Sequence, residues 1–73
     1  MAKLPVVSGL EAVKAFARAG WRVHHPHGSH VYLVKLGTRV RLSVPEHREL
    51  KPGLLRGLIR DAGLTPEEFL DLL

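Results

Sequence analysis

The stretch His24-His25-Pro26-His27-Gly28-Ser29-His30 gathers four imidazoles in a 73-residue chain that has no cysteine. Three kinds of chemistry use histidine at that density. Zinc takes about four tetrahedral ligands. Successive side chains of a strand point to opposite faces, so His24 and His25 would not join one site. His27 and His30, with His25 or His47, still supply three imidazoles, but no Asp or Glu within the stretch completes a set. Nucleophilic catalysis by Ser29 and His30 meets the same obstacle, because adjacent strand residues diverge. Ser29 reads instead as a turn hydroxyl or a donor to phosphate. General acid-base work remains. Imidazole titrates near neutrality, and a positioned histidine can take a proton from a ribose 2′-hydroxyl or give one to a leaving 5′-oxygen without a cofactor. His30 follows a Gly-Ser turn whose backbone N–H groups could approach a phosphate closely. The competing reading is a polar hairpin whose histidines only face water.

The elements that must position these residues follow from periodicity. Ser8-Gly-Leu-Glu11 matches a capping box, Leu10, Val13, Phe16 and Ala17 recur at helical spacing, and Gly20 supplies a left-handed stop. A helix over 9–19 is predicted. Trp21, Val23, Val31, Leu33, Val40, Leu42 and Val44 then mark three short strands, separated by Pro26-His27-Gly28 and by Gly37-Thr38. The second separator is expected to be a two-residue hairpin turn with Gly first. In the third strand Arg39, Arg41 and Ser43 alternate with Val40, Leu42 and Val44, which predicts one basic, wet face. Pro45 closes that strand. Pro52 opens a helix carrying Leu55, Leu58, Ile59 and Ala62, Gly63 ends it, and Thr65-Pro-Glu-Glu68 caps a short last helix. The expected fold is α+β, a three-stranded antiparallel sheet with helices on one face. All of it, 1–73, reads as a single domain.

Composition narrows the classes. A chain this short must rely on packing for stability when disulfides and thiolate metal sites are unavailable. No run reaches the roughly 18 apolar residues of a membrane span, so a soluble, cytoplasmic protein is expected. Asn and Gln are absent and the only Met is Met1, a pattern that thermophile proteins share. Residues 1–60 carry a net +8, and residues 61–73 carry −4 and no base, together the +4 of the whole. A basic body suits a polyanion such as RNA; the bland alternative is a charged surface that keeps a small domain soluble.

Several short motifs, in order and spacing, carry a family resemblance: Gly20-Trp-Arg-Val23, Gly28-Ser-His30, Val44-Pro45 followed by His47, and Leu50-Lys-Pro-Gly53 with Leu55, Ile59, Ala62 and Gly63. Taken together they resemble the HicA toxins of toxin-antitoxin systems, also called YcfA-like proteins. The resemblance implies an α-β-β-β-α fold similar to a double-stranded-RNA-binding domain. It also implies an endoribonuclease that cleaves mRNA independently of the ribosome, and a HicB-like antitoxin partner that covers the active site. The catalytic histidine of the family's Gly-Ser-His motif falls on His30, with Gly28 and Ser29 as the turn that shapes the site. Two positions depart from the family pattern. His25 stands where a basic residue often precedes the motif, and Val31 follows it where many members repeat the histidine.

Chemistry then assigns expected roles. His30 is the general base, one of His25, His27 or His47 protonates the leaving oxygen, and Lys51 adds its charge to a helix N-terminus as a phosphate anchor. Arg39 and Arg41 are expected either to hold flanking phosphates or to form a solvated strand face. No metal or cofactor is required. Tyr32 and Trp21 could stack on bases, although Trp21, just after Gly20, is expected to pack on the first helix. The rival classes are a non-catalytic RNA-binding module that uses the same basic face and a metal-binding accessory protein.

Overall fold

The computed structural model describes residues 3–73, apart from the side chains of residues 25–27. Its elements run α1 (Gly9–Arg18), β1 (Arg22–His27), β2 (His30–Val34), β3 (Leu42–Pro45), α2 (Pro52–Asp61) and α3 (Pro66–Leu72). The strands form one antiparallel sheet in the order β1-β2-β3. The predicted α+β architecture is the one observed. No helix of the described residues is long and apolar enough to cross a membrane.

Local chemistry explains where each helix begins and ends. Glu11 N donates to Ser8 Oγ at 3.0 Å and Ser8 N to Glu11 Oε1 at 2.9 Å, so two otherwise unpaired donors of α1 are satisfied. At its other end Gly20 N donates to the Ala17 carbonyl and Trp21 N to that of Phe16, which closes the helix in a Schellman pattern. Thr65 and Glu68 repeat the capping box at α3. The phase of α1 differs from the expected one. Ala12, Val13, Ala15 and Phe16 are buried, whereas Leu10 is 62% exposed and Ala17 faces outward. Gly9 sets that phase by packing directly on β3, where a Cβ would fall 2.0 Å from the Pro45 carbonyl oxygen.

The core lies between the helices and one face of the sheet. Leu33, Leu42 and Val44 meet Phe16, Leu55, Ile59 and Phe69 there, all nearly inaccessible to water. Phe16 and Phe69 rings sit 5.3 Å apart at 50°, and α3 packs on α1 and α2. Trp21 is buried as expected, with the Lys35 Nζ 6.0 Å from its ring centroid.

Both hairpins differ from expectation. β1 runs on through Pro26, which pairs with Val31, to His27, which pairs with His30; only Gly28 and Ser29 turn the chain. Proline is tolerated because β1 is an edge strand. Gly28 has φ +61° and Ser29 a negative φ, the signature of a two-residue hairpin with Gly first. The second connection is longer, over 35–41, because Leu42 pairs with Leu33 and Gly37 is the second residue of a Leu36-Gly37 turn. Val40 N donates to Thr38 Oγ1 at 3.1 Å, a local bond that replaces a ladder bond. Arg39, Val40 and Arg41 therefore lie in this connection and not in β3.

Two glycine substitutions should separate contact from conformation. Gly9→Ala gains at most about 1 kcal/mol of helix propensity, but overpacking against backbone costs about 1–3 kcal/mol, so a net loss in urea unfolding is expected. Gly28→Ala meets nothing within 4 Å and should lose only the left-handed penalty of about 1–2 kcal/mol, with Gly28→Asn recovering part of it. A Gly9→Ala protein more stable than wild type would contradict the close approach at Pro45.

Candidate functional site

Residues opposed in an antiparallel ladder share a face. Leu33 pairs with Leu42 and Val31 with Val44, and Leu42 and Val44 are buried toward the helices. His30 and Tyr32 therefore occupy the opposite, open face of the central strand, with Pro45 and Ser43 as their partners on β3. The pairing thus places His30 and Tyr32 on the face turned away from the helices. Both side chains are half-buried, and their rings lie 6.4 Å apart with planes at 29°.

His30 stands at the first position of β2, between β1 and β3. The turn that delivers it is tied down on the far side. Glu46 N donates to the Ser29 carbonyl at 2.7 Å, so the β1-β2 turn is fastened to the end of β3. Gly28 and Ser29 are exposed, and the space around a Gly28 Cβ is empty.

The other expected residues are placed less closely. His27 pairs with His30 and His25 with Tyr32 along the backbone, which brings both chain positions beside the candidate site. Their side chains lie outside the described residues. β1 also carries an extra residue between Val23 and His25, so simple alternation does not run through His24. His47 follows β3, and its side chain lines an open recess of about 390 Å³ with Ser8, Leu10, Val31, Glu46 and Arg48. His30 is not part of that recess. Lys51 is the exposed N-cap residue of α2 and makes no side-chain capping bond. Arg39 and Arg41 are exposed at the end of the sheet away from His30, because their connection joins the last residue of β2 to the first of β3. Four residues of strand, about 13 Å, separate the two ends. Among the described residues, no group of three or more His, Asp or Glu is arranged to hold a metal ion.

The charge partition has a structural counterpart. Glu67, Glu68 and Asp71 belong to α3, which packs against α1 and α2, and an Arg18 guanidinium donates to the Leu72 carbonyl. Those carboxylates sit in the helical layer. The open face presents His30, Tyr32, Val34 and Ser43, with Arg22 paired to Val34 at its edge, and no acidic residue among these described positions.

Gly9 was missed as a positioning residue, although a signal existed. Glycine is a poor helix former, and its place in the first turn of a well-capped helix points to a backbone that must come close to something.

Comparison with known families covers most of these elements. The model for the HicA toxin of bacterial toxin-antitoxin systems matches residues 9–64, from the docked glycine of α1 to the end of α2, and no curated protein gives a significant match. The matched segment includes the whole three-stranded sheet, both helices that cover it, and the Gly28-Ser29-His30 turn. With more than half of its length matched, the chain belongs to the HicA toxin family of bacterial toxin-antitoxin systems.

Proposed function

We propose that this toxin is a metal-independent endoribonuclease acting on mRNA without the ribosome, with His30 as its general base and a HicB-like antitoxin as its partner. The observation that carries the reading is the position of His30. It opens the central strand on the uncovered sheet face, directly after a turn whose exposed backbone can approach a phosphate, in a chain of the HicA family.

In the proposed reaction His30 takes the proton of a ribose 2′-hydroxyl. The 2′-oxygen attacks the adjacent phosphorus in line, the bond to the 5′-oxygen breaks, and that oxygen takes a proton from a second histidine. The products are a 2′,3′-cyclic phosphate and a 5′-hydroxyl. His25 and His27 are the acids supported by the register, since their chain positions adjoin Tyr32 and His30. His47 is less well placed, because its side chain shares a recess with Val31 rather than with His30. Ser29 and Gly28 offer the turn backbone to the scissile phosphate, and Lys51 supplies charge at the start of α2. Arg39 and Arg41, at the other end of the sheet, hold phosphates further along the strand. Acting at a distance, they raise affinity more than they assist chemistry.

Cleavage of a purified transcript tests this reading. Wild type should cut in the presence of EDTA and leave cyclic-phosphate ends, and His30→Ala should lower the rate by roughly 10²–10⁴-fold. Cleavage that survives His30→Ala, or that requires an added divalent ion, would sink the proposed mechanism.

A further inference from the structure

We infer that Tyr32 is the base-stacking platform of this site, so that the RNA presented to His30 is single-stranded at the cut. This rests on the ribonuclease reading above and specifies its substrate.

The chain has four aromatic Phe, Trp or Tyr residues, and three of them belong to the core. Phe16 and Phe69 are 0% exposed and Trp21 is 3% exposed. Tyr32 alone among them reaches the open face of the sheet, where it is half-buried. It sits two residues from His30 on the same strand, a step of about 6.6 Å along the chain. Their rings form a stacked pair, with centroids 6.4 Å apart and planes at 29°. Its cross-strand partners are Ser43, a small residue on β3, and His25 on β1.

A flat aromatic surface beside the proton-transferring group has a specific use. A phosphate held at His30 must have a nucleoside on each side, and one flanking base falls within reach of a ring one strand step away. Base–aromatic stacking is tolerant of base identity, because every base has a π-face. Bases inside an A-form duplex are stacked on one another and cannot be offered to a sheet; splayed single-stranded bases can. In-line attack by the 2′-oxygen also needs a backbone freed from A-form geometry. Both demands point to the same substrate.

The test uses full-length protein and one short oligoribonucleotide whose cut site has been mapped with wild type. Tyr32→Leu keeps an apolar side chain but lacks the flat face, Tyr32→Phe keeps the face, and thermal melting shows that each variant is folded. Tyr32→Leu should raise KM by roughly 5- to 150-fold, the range that stacking of one base supports, with a smaller change in kcat and with Tyr32→Phe close to wild type. Wild type should cut the same sequence poorly when it is annealed to its complement. A second readout needs no cleavage: 2-aminopurine beside the cut, bound to His30→Ala protein, should be quenched, and the added Tyr32→Leu change should remove the quenching. An unchanged KM in folded Tyr32→Leu, or equal cutting of the duplex, overturns the inference while the ribonuclease reading stands. Absence of cleavage by wild type overturns the ribonuclease reading first, and this inference with it.

Discussion

The close approach of Gly9 to the Pro45 carbonyl is the constraint on which the site depends. Around it, Gly9 N donates to the His47 carbonyl, Leu50 N to that of Val7 and Glu46 N to that of Ser29. These three backbone bonds join the start of α1, the β1-β2 turn and the chain leaving β3. Each is worth only about 1 kcal/mol net, but leaving the buried Gly9 and Leu50 donors unpaired would cost more than forming the bonds gains. The end of the sheet that carries His30 is therefore held by main chain from three directions. Side-chain substitutions elsewhere can change what the site binds without changing where it is.

The division between layers follows from the same packing. Phe16 and Phe69 bring α3 onto α1, and its carboxylates go with it. The sheet keeps one face sealed by the helices and one face open, and among the described residues the open face carries imidazole, phenol and hydroxyl groups without an acid. A small chain thus separates its packed face from its open face by the two-residue period of a strand. Leu33 belongs to the first, and its neighbour Tyr32 to the second.

Much of this was legible in the residues. The capping boxes at Ser8 and Thr65, the stop at Gly20 and the opening at Pro52 are local signals, complete within a few residues, and each helix begins where its signal lies. The strands were legible as apolar runs, but their pairing is a long-range property. A two-residue turn with glycine first is expected at Gly37-Thr38 and occurs instead at Gly28-Ser29, because the ladder continues through Pro26 and His27 in the first hairpin and stops at the Leu33–Leu42 pair in the second. That difference moves Arg39 and Arg41 off the sheet. The rotational phase of α1 is not a local signal: Leu10 fits a helical stripe as well as Ala12 does, and the docking of Gly9 on β3 decides between them. Alternation in β1 was assumed where an extra residue, His24, interrupts it.

On the proposed function, RNA meets the open sheet face at the His30 end. Amide chemical shifts of the isotopically labelled toxin, followed during titration with a single-stranded oligonucleotide made uncleavable by 2′-deoxy substitution at the cut, test it directly. The largest changes should fall on the amides of Gly28 to Tyr32 and of Ser43, Val44 and Glu46, with smaller ones through Arg39 and Arg41. Changes confined to the outward faces of α1 and α2, with these amides unmoved, would contradict it.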